Sequence, residues 1–162
     1  MVDNLVTTIV EFFQSSFPPQ LIAFLISLCP ILELRGGMVA ARLLELPFIQ
    51  AFVICYIGNM LPIPFILLFI RKIFKWMRKF SAFAKIVDKL EARSEKKKDT
   101  ILKYKEWGLL FFVAIPLPGT GGWTGALIAA LMDLRFKKCL PIIALGVFIA
   151  GLIMSLITYG IF

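Results

Sequence analysis

The sequence has no histidine, only three cysteines and few charges: Asp, Glu, Lys and Arg make up 17% of 162 residues. Zinc and haem sites lack their usual ligands, since Cys29, Cys55 and Cys139 lie apart in apolar stretches with no CxxC spacing. An odd, scattered set of thiols also excludes a disulfide-stapled secreted module. No Ser or Cys nucleophile has a matched base, so no catalytic residue, metal or cofactor is expected, and no enzyme. The N-terminus lacks the basic, apolar and cleavage regions of a signal peptide, and none is expected. What is present is apolar: hydrophobic residues make up 60%, and the mean hydropathy is +0.90. Ordinary soluble domains are about 45–50% apolar and about 25% charged. A soluble monomer of this size has too little interior for so much apolar surface. The class expected is a single all-α integral membrane domain spanning 1–162.

The charges are unevenly placed. Residues 71–105 hold 13 of the 18 Lys and Arg and four of the ten acids, a local net of +9. The rest of the chain holds five basic and six acidic residues. A basic block within an apolar chain marks a cytoplasmic face, and it would face anionic headgroups. Membrane lipids are therefore expected partners and nucleic acid is not.

Four uncharged stretches, 12–32, 46–70, 107–132 and 139–162, each reach the length of about 20 residues that crosses a bilayer as a helix. Two resist that reading. Residues 116–122 contain Pro116, Pro118, Gly119, Gly121 and Gly122, which no helix interior accommodates. The arms on either side, 107–115 and 123–134, rise only ~13 Å and ~18 Å at about 1.5 Å per residue. Each covers about half of a ~30 Å hydrocarbon core. Segment 107–134 is expected to be a re-entrant hairpin, returning to the side it entered. The basic residues at its exit, Arg135, Lys137 and Lys138, then share the cytoplasmic side with the connector 71–106. Segment 20–46 has the same order of features: an apolar arm over 20–28, a tip from Cys29 through Pro30, Glu33, Arg35, Gly36 and Gly37, and a second arm over 38–46. No Lys or Arg occurs in 1–20 or 45–50, which suits the outer face.

Segments 47–70 and 139–162 remain as spans, the first kinked at Pro62 and Pro64. The expected architecture is an inverted repeat, each half a re-entrant helical hairpin followed by a transmembrane helix: 1–70 with an interfacial helix over 2–17, and 107–162. Aligning Gly36-Gly37 with Gly121-Gly122 sets Gly58 opposite Gly146 after three extra residues. Residues 71–83 suit a second amphipathic helix in the headgroup layer. In the first, Leu5, Ile9, Phe12 and Phe13 share a side. The expected location is the plasma membrane, multi-pass, with 71–106 and 135–138 in the cytoplasm.

Glu33 and Arg35 are the principal candidates for function. Ionisable groups at membrane depth face cavities and pair. They read either as a titratable or substrate-binding acid beside an anion-binding Arg, or as a salt bridge pinning the hairpin tip. The tip glycines leave N–H groups free at helix starts, where a phosphate or carboxylate binds. They also allow close packing, with Gly121 and Gly125 at GxxxG spacing. Thr120, Trp123 and Thr124 are candidate hydrogen-bond donors to a ligand. Arg42, Glu45 and Asp133, near the hairpin exits, are secondary candidates, with Arg42 able to reach back toward Glu33. So short a chain has little protein with which to cover its irregular tips, so a homodimer or higher homo-oligomer is expected.

The pattern Pro30-x-x-Glu33-x-Arg35-Gly36-Gly37, followed by Pro116-x-Pro118-Gly119-Thr120-Gly121-Gly122-Trp123-x-Gly125, resembles the small multidrug export proteins over roughly residues 20–160. That family is similar in architecture to the DedA (VTT-domain) superfamily, which implies two opposed re-entrant hairpins and an association with lipid-phosphate movement and proton coupling. Glu33 takes the place of the acidic hairpin residue of DedA proteins. The arginines typical of their second hairpin have no counterpart, since 116–125 is uncharged. The expected function is proton-coupled export or translocation of a small amphipathic or lipid-phosphate substrate. The alternative is a non-transporting scaffold that organises lipid.

Overall fold

Proline and glycine set most of the helix ends. Helix α1 (Val2–Phe13) stops ahead of Pro18-Pro19, and α2 (Pro19–Leu28) opens on a proline, whose missing N–H costs nothing in a first turn. After the tip containing Pro30, α3 (Glu33–Leu43) begins. Helix α4 (Phe48–Met60) follows Pro47, and α5 (Ile63–Met77) follows the turn at Leu61-Pro62. Helix α6 (107–114) ends before Pro116, α7 (Gly122–Leu131) starts where the glycines end, and α8 (Phe136–Tyr159) runs for 24 residues. The computed structural model describes residues 2–77, 79, 88–89, 92, 107–117, 119–132 and 134–160. Among these, all regular structure is helical. Two stretches are long and apolar enough to cross a bilayer: Phe48–Ile70 and Phe136–Tyr159.

Helix α3 packs against α1, α2, α4 and α8, and α7 packs against α5 and α8. The main core joins Leu34 and Met38 of α3 to Ile63, Val113, Ile128, Ile143 and Val147. Phe48, Phe52 and Tyr56 of α4 meet Tyr159 and Phe148 of α8, with the Phe52 and Phe148 rings 5.4 Å apart. Positions climb on α4 as they fall on α8, so these two helices run antiparallel. Outward-facing Ile49, Phe65 and Ile157 are exposed, as a lipid-facing surface requires.

Several expectations need correction. The first tip is shorter than expected: α3 begins at Glu33, so Arg35, Gly36 and Gly37 are helical. Glycine disfavours a helix interior by about 1 kcal/mol. Here packing prevails, because any side chain at position 37 would collide with Ser27 of α2. Helix α5 continues past Ile70 to Met77, where a separate interfacial helix was expected from 71. On α1 the face that packs is Val6 and Val10, against Ile22, Ile26, Leu32 and Ala40. Leu5, Phe12 and Phe13 point outward, Phe12 with 74% exposure. Helix α8 begins at Phe136, ahead of the expected 139. Pro118, Asp133 and most of 71–106 lie outside the described residues.

Backbone contacts recur 88 positions apart. Helix α3 ends with Leu44 N–H on Ala40 O and Leu46 N–H on Ala41 O; α7 ends with Met132 on Ile128 and Leu134 on Ala129. Ala51 N–H bonds Pro47 O as Cys139 bonds Arg135 O. Ile63 closes on Gly122 as Leu34 closes on Gly151, large and small residues exchanged. Glycines of two helices converge on α2 and on α6: Gly37 of α3 and Gly58 of α4 on Ser27, Gly125 of α7 and Gly146 of α8 on Val113. The expected alignment of Gly36-Gly37 with Gly121-Gly122 uses a different spacing, 85 positions. Gly37 and Gly125 lie 88 positions apart, as do Gly58 and Gly146.

Candidate functional site

The two irregular tips, 29–32 and 115–121, meet through Glu33 and Arg35. Glu33 opens α3 in a left-handed conformation, φ +52°, and is only 6% exposed. That backbone costs a non-glycine residue about 1–3 kcal/mol, and it turns the carboxylate across to the other hairpin. Glu33 Oε2 accepts the Gly122 N–H at 3.1 Å, with the Trp123 N–H as a second backbone partner. Both N–H groups belong to the first turn of α7, where they have no partner within the helix. The dipole of α7 favours negative charge at the same point. Glu33 is thus the resident anion at the start of α7.

Arg35, two residues along α3, serves the loop before α7. Its guanidinium donates to the carbonyls of Leu117 and Thr120, and to Thr120 Oγ1 at 3.2 Å. Thr120 Oγ1 in turn lies 2.7 Å from Ile115 O and 2.8 Å from Leu117 O, and accepts the Leu117 N–H at 3.2 Å. Thr120 is consumed in stitching the tip and is not a free donor to a ligand. The other face of the junction is two apolar side chains and one amide: a methyl added at Gly122 would sit 3.1 Å from Val147 Cγ2, 3.3 Å from Ile63 Cδ1 and 3.4 Å from Asn59 Nδ2.

Depth follows from counting. Asn59 is the central residue of the 23-residue stretch Phe48–Ile70, and Val147 lies at the centre of the 24-residue α8. The Glu33–Gly122 junction is therefore level with the middle of both long apolar helices.

The remaining candidates fall elsewhere. Arg42 is on the last turn of α3, its guanidinium 5.5 Å over the Tyr159 ring, whose hydroxyl donates to Leu46 O at 3.1 Å. Nine residues of helix place it ~13 Å along the axis from Glu33, so it does not reach back. Glu45 is exposed and left-handed, φ +56°, at the position that closes the end of α3. Pro30 and Gly119 are exposed on the tips, Pro116 is half-buried, and Gly36 and Gly37 are buried in α3. Among the described residues no group of Cys, Asp and Glu gathers to hold a metal.

Asn59 belongs at this site and was not among the residues singled out from the sequence. It is 1% exposed, and its Oδ1 has no hydrogen-bond partner. The Nε1 of half-buried Trp123 is also unpartnered. The signal was available: an uncharged amide at the centre of an apolar run. A search for charges alone passes over it.

Among curated proteins and solved structures none matches the chain. A family model does, over residues 33–153, which begin at Glu33 itself, just past the first tip, and include the second tip and most of both long helices. The chain belongs to the family described as "Putative small multi-drug export protein".

Proposed function

We propose that this protein is a membrane translocator that moves a small amphipathic substrate with an anionic, phosphate-type head, one proton travelling with it on Glu33. The family is one of export proteins, a transport rather than an enzymatic family. The observation that carries the reading is the buried Glu33 carboxylate on the N–H groups that begin α7, at mid-depth. A phosphate head competes for those same donors. Once displaced, the carboxylate has lost its partners in a low-dielectric site and takes a proton from the aqueous side. Anion and proton then occupy the protein together. The left-handed Glu33 backbone supports a functional role, since such strain concentrates where a residue must be held for use.

The recurrences at 88 residues support an inverted repeat. A two-fold axis brings residue i onto residue i + 88 only where the axis itself passes. Tyr56 Oη donates to Ala144 O at 3.2 Å, and Glu33 lies against Gly121; both are such pairs. Equivalent helices α4 and α8 run antiparallel, as inversion requires. In this reading each hairpin is re-entrant, Glu33 lies on the axis near the midplane, and the two halves rock about it to open alternately to either side. Exposed apolar residues on the tips, such as Ile31 at 83%, are covered by a second copy of the chain.

Arg35 favours a second reading, a lipid-organising scaffold. Its bonds to Leu117 and Thr120 hold one tip to the other, as a static cross-link would. Flux separates the two. Purified protein in phosphatidylcholine liposomes should move a tagged long-chain alkyl phosphate faster along an inward proton gradient. A cationic dye driven against the gradient would reverse the assigned substrate charge, and no flux of either probe would favour the scaffold. Topology is tested separately. Lys97→Cys and Lys137→Cys, each in a background without native Cys, should label from the same, cytoplasmic side. Labelling from opposite sides makes 107–134 a crossing segment and removes the re-entrant hairpin.

A further inference from the structure

When the Glu33 carboxylate leaves the start of α7 with a proton on it, it becomes a hydrogen-bond donor in a buried place. A buried O–H without an acceptor costs about 1–3 kcal/mol. The surroundings offer few acceptors. Helices α2, α4 and α7 contain no Asp, Glu, Lys or Arg. The carbonyls of Leu117 and Thr120 are taken by Arg35, the charged neighbour of Glu33. Glu11 on α1 and Lys137 and Lys138 on α8 are exposed. Of the other titratable groups on packed helices, Cys55 lies against Ser27 and Gly37, and the hydroxyls of Tyr56 and Tyr159 bond to Ala144 and Leu46.

Among the described residues an acceptor does lie close by. Asn59 Oδ1 is buried and unpartnered. Its Nδ2 lies 3.4 Å from where a methyl on Gly122 would sit, which places the amide beside the residue whose N–H holds the Glu33 carboxylate. An amide in the middle of an apolar helix, next to a partner that has not arrived, is an unmet polar group of the kind that native interiors seldom keep without a use.

We infer that Asn59 is the positioning residue for protonated Glu33: its Oδ1 accepts the carboxyl O–H once the carboxylate has given up the Gly122 N–H. This rests on the proton-carrying reading of Glu33 and adds the second station of that proton. The side chain then alternates between two hydrogen bonds, both adjoining Gly122. As an anion it accepts from the start of α7; as a neutral acid it donates to α4. The exchange releases the Gly122 and Trp123 N–H groups only when Glu33 is neutral, so substrate binding and protonation become one event. The second half has no such station, because position 147, the counterpart of 59, is Val147.

Infrared difference spectroscopy of the whole protein in phosphatidylcholine liposomes, acidified stepwise, tests this. A protonated-carboxyl stretching band should appear in the wild type and vanish in Glu33→Gln, which assigns it. In Asn59→Leu the band should move to higher frequency, the mark of a carboxyl without its acceptor. The acid limb of alkyl phosphate flux should also shift about one pH unit lower, the size of one hydrogen bond to a buried group. Asn59→Ser keeps an acceptor oxygen and should hold the band near its wild-type position. Should Asn59→Leu fail to insert, Asn59→Ala removes the acceptor without adding bulk. A band lost in Glu33→Gln but unmoved in both apolar Asn59 variants overturns the role of Asn59 alone. A band that persists in Glu33→Gln overturns the proton-carrying reading, and the role of Asn59 with it.

Discussion

Replacing Glu33 with Gln should leave a folded protein whose flux no longer responds to pH. Gln presents a carbonyl oxygen of the same reach, so the Gly122 N–H that Glu33 accepts at 3.1 Å keeps a partner. What is lost is the charge at the start of α7, a matter of about 0.3–1 kcal/mol, up to ~2 kcal/mol in a partly buried setting. Thermal stability and oligomer size should therefore stay close to wild type. Transport should change far more. A step that needs one proton on one group varies by up to about tenfold per pH unit on its limiting side. With no group to titrate, Glu33→Gln should give flux that varies less than about twofold across the same range. Liposome flux of the tagged alkyl phosphate at a series of pH values measures both limbs. If the mutant keeps the wild-type pH profile, Glu33 is a helix cap and cross-link only, and the exposed Glu45 becomes the next acid to test.

The sequence shows the junction and its chief residues more readily than the way they are joined. Two prolines and three glycines within 116–122 leave no helical alternative, and α7 does begin at Gly122. The glycine pair at 36–37 looks like the same signal, but it is read differently by the fold. No proline interrupts the chain between Glu33 and Leu43, so a helix there costs about 2 kcal/mol for the two glycines, which close packing against α2 repays. The position of the tip, and with it the register of the 88-residue recurrence, could only be decided by tertiary contacts. The destinations of Arg35 and Arg42 were likewise hidden. Both are long side chains on one helix, yet Arg35 reaches carbonyls 82 and 85 positions away, and Arg42 stacks on an aromatic near the far end of the chain. No local pattern carries that information. Asn59 was visible as a polar residue in an apolar stretch, but its significance depends on Gly122 lying beside it.

Gly121→Ala should be among the most damaging single substitutions in the chain. Gly121 has φ +132° and ψ −173°, backbone open in practice to glycine alone. Forcing an alanine there costs about 1–3 kcal/mol in strain. The added methyl would also overlap the Glu33 carboxylate, so the side chain must leave the start of α7. Losing a helix cap costs a further ~0.5–2 kcal/mol. Together these take a large share of an ordinary domain's stability of about 5–15 kcal/mol. The expected result is a marked drop in thermal midpoint in detergent, with alkyl phosphate flux lost as well. Gly160→Ala is the control: its φ is +58°, but nothing lies within 4 Å of the added methyl, so only the backbone term of about 1 kcal/mol applies. A double-mutant cycle separates the two contributions at Gly121. With Glu33→Ala in the background the overlap is gone, and Gly121→Ala should then cost only its backbone strain. If the two substitutions instead add without coupling, the carboxylate does not press on Gly121 and the tip-to-tip junction is looser than drawn. If Gly121→Ala alone is as stable as wild type, the tip does not take the conformation on which the whole site depends.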